Sequence, residues 1–131
     1  MKEFLITSLC AVTPNEALPN AALWIRDGKI HRIFSDGELP SETRQLPRTD
    51  AKGHIAVPGF IDLHIHGYAG FGPECAAPQA LLRMSEELAK TGVTAFCPTL
   101  YCAKPHDMEL LLQKLHPALG HEAGARIIGF H

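Results

Sequence analysis

From Phe60 to the end of the sequence, short apolar runs that read as strands alternate with helical periods, and this alternation limits the fold more than any other feature. The predicted strands are Phe60 to His66, Val93 to Pro98 and Arg126 to Phe130, with APQALLRMSEELAKTG and PHDMELLLQKLHPAL between them. In the first intervening segment Pro78 suits the opening turn, Leu81, Met84 and Leu88 form an apolar stripe, Glu86 and Lys90 have ion-pair spacing, and Gly92 supplies a stop. In the second, Asp107 lies in the first turn, where the helix dipole favours an anion, Leu111 and Leu115 fall on one face, and Pro117 lies near the end. Strands joined through helices must run parallel, so the expected fold class is α/β, built from βαβ units.

Residues 1–57 read differently, as short strands and turns, and residues 58–131 are expected to form a separate βα region. The clearest early piece is ALWIRDGKIHRI, in which Asp27-Gly28 between two β-prone runs predicts a two-residue hairpin that pairs Ile25 with Ile30. SDGELPSETRQLPRTD has turn formers and charges without a period and is expected to be a loop; HIAVPGF then carries a short strand that Pro58-Gly59 breaks. The opening MKEFLITSLCAV is expected to be a first strand and not a signal peptide, because Glu3 interrupts the basic region and no small-residue cleavage site follows. No apolar stretch reaches the roughly 18 residues of a membrane span.

Composition excludes several classes. With 46% hydrophobic residues among 131 the chain can form a core, and a net charge of -2 with scattered lysines and arginines offers no stripe for nucleic acid and no basic patch for a membrane. The four cysteines lack C-x-x-C spacing, so reduced thiols and a cytoplasmic location are expected, with Cys97 acting as a small buried hydrophobe.

The candidate site is GFIDLHIHGYAGFG, Gly59 to Gly72. Among 8 histidines an H-x-H spacing says little by itself. Its position says more. On a strand, Asp62, His64 and His66 share one face, while Ile61, Leu63 and Ile65 share the other and are expected to pack under helices. In a βα barrel the polar face is the interior, and residues at the C-terminal end of a strand open onto the active-site side. Two buried imidazoles without partners are costly, whereas neutral imidazoles on a divalent cation use their lone pairs and acidify a bound water. Hydrogen-bonded structural histidines at a loop junction are the alternative, and spacing does not choose between them. Gly67, Gly70 and Gly72 either admit a close backbone approach to metal or substrate or turn the chain. Asp62 either orients an imidazole or makes a structural hydrogen bond. Thr99, after the second strand, is a candidate substrate contact. Cys75 reads as a loop thiol, and His106, His116 and His121 as surface residues.

Three stretches, VPGFIDLHIHG (Val57 to Gly67), TGVTAFCPTL (Thr91 to Leu100) and ARIIGFH (Ala125 to His131), together resemble the N-terminal third of the N-acetylglucosamine-6-phosphate deacetylases of the amidohydrolase superfamily. ALWIRDGKIHRI resembles the opening hairpin of that superfamily. P-G-F-I-D-x-H-x-H is shared with dihydroorotases and hydantoinases; G-V-T-x-F-x-P-T followed by a strand ending G-F-H narrows the resemblance to the sugar-phosphate deacetylases.

The resemblance implies a β-sandwich-like N-terminal domain followed by the first units of a TIM barrel, incomplete here. It implies hydrolysis of the acetamide of N-acetylglucosamine 6-phosphate to glucosamine 6-phosphate and acetate, with one or two divalent metals, zinc or iron, polarising the amide and supplying the nucleophile. His64 and His66 are the implied ligands, and their retention resembles the two-metal members. The implied partners are the amino-sugar phosphate and a second copy of the chain in a homodimer. In relatives the third strand continues into L-E-G-P, whose glutamate is a metal ligand, so His131 is assigned near the site, and no catalytic or phosphate-binding residue is assigned in this chain. A complete barrel takes about 250 residues. The expectation is therefore a deacetylase fragment that cannot close its barrel, is inactive alone, and is either aggregation-prone or dependent on a partner. The alternatives are a cyclic-amide hydrolase of the dihydroorotase or hydantoinase type, and a noncatalytic remnant that uses its βα half for docking.

Overall fold

The computed structural model describes residues 2–35 and 38–131, which divide into two compact units, Met1–Pro58 and Gly59–His131. The first is a five-stranded sheet of β1 (Glu3–Val12), β2 (Ala17–Arg26), β3 (Lys29–Phe34), β4 (Arg48–Asp50) and β5 (Ile55–Ala56). Its order is β3-β2-β1-β4, with β5 also on β1. The β2–β3 connection is the predicted hairpin: Ile25 pairs with Ile30, and Asp27 and Gly28 have φ of 50° and 75°. These are the positive angles a type I′ turn requires. Along β1 the register slips between Ile6 and Leu9, with Ser8 at φ 64°, as at a bulge that bends the strand.

The expected loop at residues 35–50 is corrected in its second half. Asp36 and Gly37 lie outside the described residues. Arg48–Asp50 forms β4, parallel to β1, with the Leu5 amide donating to the Pro47 carbonyl at 2.9 Å. The open edge of β1 supplies the hydrogen-bond partners that the local sequence does not advertise, a case of tertiary pairing overriding local preference.

The second unit is a three-stranded parallel sheet of β6 (Phe60–Ile65), β7 (Val93–Pro98) and β8 (Arg126–Ile127), in that order, connected through α1 (Pro78–Ala89) and α2 (Pro105–Leu115). Pro78 opens α1, and Gly92, at φ 87°, follows its end. The stripe of Leu81, Met84 and Leu88 is buried with Phe96, Leu115 and Ile127 in one core cluster. Burying Leu81 alone removes a side chain worth about 1.5–3 kcal/mol of transfer free energy from water.

Four expectations are revised here. Lys90 pairs with Glu87 at 2.6 Å, and Glu86 with Arg83 at 2.7 Å, in place of a Glu86–Lys90 pair. Cys97 is half-buried rather than fully buried, and all four thiols are free. Strand β8 is two residues long, although its backbone pairing continues through the Ile128 and His131 amides, which donate to the Phe96 and Pro98 carbonyls. Of the three residues expected under helices, only Ile65 packs against the core; Ile61 and Leu63 remain 60% and 62% exposed. Their strand is an edge, and among the described residues α1 lies against β7 rather than over β6.

Candidate metal centre

The site lies where the three parallel strands end. Backbone hydrogen bonds tie these ends together: the Thr99 amide donates to the Ile65 carbonyl at 2.8 Å, the His131 amide to Pro98 at 2.9 Å, and the Leu100 amide to His131 at 2.7 Å. His66, just past β6, Thr99, just past β7, and His131 are thus set side by side at one end of the sheet.

His64 and His66 converge. Their Nε2 atoms are 3.2 Å apart, with ring centroids at 5.1 Å and planes inclined by 60°. Two neutral imidazoles on one tetrahedral zinc, each at 2.0–2.1 Å, hold their nitrogens about 3.3 Å apart. The pair therefore fits two adjacent positions of one cation, and equally fits one N–H donating to the other ring's lone pair. A third ring joins them: His131 stacks on His64 with centroids 4.4 Å apart and an interplanar angle of 28°. Among the described residues no group of three His, Cys, Asp or Glu side chains has the geometry to hold a metal, so the pair supplies two ligands and not a closed site.

The remaining predicted residues take different places. Asp62 Oδ1 accepts the His64 backbone amide at 3.1 Å, the structural alternative, and among the described residues no imidazole is hydrogen-bonded to its carboxylate. Gly67 lies where an added Cβ would stand 3.0 Å from the Phe71 carbonyl. It precedes a tight turn in which Tyr68 and Phe71 exchange backbone hydrogen bonds at 2.8 and 2.9 Å, with Gly70 at φ 83°. The turn uses the positive φ of Gly70, and the close Phe71 carbonyl leaves little room for a side chain at Gly67. Thr99 is 5% exposed, and its Oγ1 is buried without a hydrogen-bond partner. Cys75, His106, His116 and His121 are exposed, as expected.

Two residues absent from the sequence reading line the same hollow as His66 and Thr99. Glu74 and Tyr101, with Pro73 and Leu111, complete a depression of about 280 Å³. Neither carries a local signal; Glu74 follows Gly72-Pro73, and its approach depends on the path of the loop.

Comparison with known proteins identifies the family of the chain. Residues 55–130 match the model of the amidohydrolase family. The chain belongs to the amidohydrolase family. Among curated proteins, this amidohydrolase is 30% identical to the N-acetylglucosamine-6-phosphate deacetylase of Danio rerio over 130 residues, 93% of this chain and 31% of the relative. It is 29% identical to that of Bacillus subtilis (strain 168) over 134 residues, 99% of this chain and 33% of the relative. The chain thus spans about a third of the length of the curated relatives it matches. Among solved structures, a mutant N-acetyl-D-glucosamine-6-phosphate deacetylase from Mycobacterium smegmatis, in complex with N-acetyl-D-glucosamine-6-phosphate, aligns with a TM-score of 0.76 at 24% identity, over 97% of this chain and 32% of that one. The mixed α/β fold is therefore that of the N-terminal part of these enzymes. No helix among the described residues is long and apolar enough to cross a membrane.

Proposed function

We propose that this amidohydrolase supplies the first metal ligands of an N-acetylglucosamine-6-phosphate deacetylase, an enzyme that hydrolyses the sugar acetamide to glucosamine 6-phosphate and acetate. The observation that carries the reading is the 3.2 Å approach of the His64 and His66 Nε2 atoms at the end of β6, within the matched region. In this reading the β6–β7–β8 unit is the start of a (β/α)8 barrel, residues 1–57 are part of a β-sandwich-like domain, and the enzyme is cytoplasmic, homodimeric and free of nucleic acid and membrane.

His64 and His66 would hold a divalent metal, zinc or iron, which would supply polarisation of the amide carbonyl and activation of water. The chain's own residues do the rest of what is assigned here. His64 and His66 would hold two coordination positions, the turn from Tyr68 to Phe71 brings the chain back beside His66, and Thr99 lines the hollow with His66.

The test is turnover. The 131 residues alone are expected to be inactive on N-acetylglucosamine 6-phosphate with zinc; joined to a segment that supplies the remaining metal ligands, they are expected to release primary amine and acetate in equal amounts, above the level of the same assembly carrying His64→Ala/His66→Ala. Turnover of dihydroorotate or a hydantoin in preference to the sugar would replace this reading with the cyclic-amide one. Stoichiometric co-purification with a partner protein and no bound metal would favour the docking reading.

A further inference from the structure

A histidine that binds a metal is ordinarily oriented by a hydrogen bond from its second ring nitrogen to a carboxylate, carbonyl or water. His64 is held otherwise. Among the described residues its ring has no hydrogen-bonded protein partner besides His66, and the nearby carboxylate, Asp62, is engaged by the His64 backbone amide at 3.1 Å. Torsion about χ2 of histidine is broad, so an exposed imidazole at a strand end lacks an internal reason to keep one direction.

The face of the ring is where restraint is found. His131 lies over it with centroids 4.4 Å apart and planes inclined by 28°, a stacked contact. His131 is itself exposed, but its backbone is fixed on both sides: the amide donates to Pro98 and the carbonyl accepts from Leu100. A rigid backbone thus carries a flat ring to one face of His64, while the edge of His64 that bears Nε2 faces His66.

We infer that His131 is a positioning residue for the metal centre: its stacked ring holds the His64 imidazole so that Nε2 stays aimed beside that of His66, without donating a nitrogen of its own. The inference rests on the reading of His64 and His66 as metal ligands. It assigns the work to the shape of the His131 ring, and a ring without nitrogens should do the same work.

The experiment compares the protein with His131→Phe, His131→Ala and His64→Ala/His66→Ala, reading zinc affinity by competition with a chromophoric chelator and the visible absorption of the cobalt(II) form. The Phe variant keeps the stack and is expected to bind zinc within about twofold of the unaltered protein, with the same cobalt band. The Ala variant is expected to weaken binding about tenfold, the lower end of what outer contacts to metal ligands contribute, and to broaden the band. Equal loss in the Phe and Ala variants would make His131 a ligand and overturn the inference, and so would unchanged binding in both. Zinc binding by the unaltered protein no stronger than by the double variant would overturn the metal reading itself, a result distinct from the other two.

Discussion

The Ser85 hydroxyl, inside α1, donates to the Ala125 carbonyl at 2.7 Å, and the Gly124 amide returns a hydrogen bond to the same hydroxyl at 3.2 Å. The Ala125 amide also donates to the Ser85 carbonyl at 3.0 Å. Ser85 is wholly buried. A polar residue in the middle of an apolar helix stripe is thus explained by the segment that leads into β8, which it clamps to α1.

That clamp leaves no room at Gly124, where an added Cβ would stand 2.3 Å from the Ser85 carbonyl oxygen, a backbone atom that cannot swing aside. Gly124→Ala is expected to destabilise the second unit by about 1–3 kcal/mol through overpacking. Ser85→Ala, which strands a buried carbonyl and an amide, should cost about as much. Urea unfolding followed by far-ultraviolet circular dichroism checks both; a loss below about 0.5 kcal/mol for either would mean that the segment relaxes freely and the clamp is weak.

Thr99 behaves in the opposite sense. Its Oγ1 is buried without a partner, so the free protein gains nothing from the hydroxyl. Replacing an unsatisfied polar group by an apolar one of the same shape is neutral or stabilising, and Thr99→Val is expected to change stability by between zero and about 1 kcal/mol in the favourable direction. A thermal shift downward would show that the hydroxyl is hydrogen-bonded in solution.

The exposed edge predicts association. Phe60, Ile61 and Leu63 are each about 60% exposed along β6, a strand with a free side. Edge strands of this kind are templates for pairing with another chain, and an inserted charge is a common defence. Ile61→Lys with Leu63→Lys is expected to reduce concentration-dependent light scattering while leaving the helical circular dichroism intact. Scattering equal to that of the unaltered protein would move the sticky surface elsewhere.

The parts that were legible in the sequence are those with short-range causes. Asp27-Gly28 sets its own turn through two positive φ angles, and Leu81, Met84 and Leu88 recur at the helical period. The strand period places His64 and His66 two apart, on one side of β6, and their meeting at 3.2 Å follows from that spacing. What escaped has long-range causes. Strand β4 forms because β1 has a free edge, and nothing within Arg48–Asp50 announces it. Lys90 chooses Glu87 over Glu86, a difference worth a few tenths of a kcal/mol on an exposed helix face, too small for spacing to decide. The exposure of Ile61 and Leu63 depends on which elements cover β6, and the orientation of His131 on His64 depends on pairing across all three strands.

The central claim, that His64 and His66 hold a divalent metal, is tested most directly by elemental analysis of the purified protein beside its His64→Ala/His66→Ala variant, with size-exclusion traces of both. The account predicts near-stoichiometric zinc or iron in the unaltered protein and none in the variant at the same elution volume. A folded, metal-free protein that takes up neither zinc nor iron on addition would contradict it and leave the two imidazoles as a hydrogen-bonded pair.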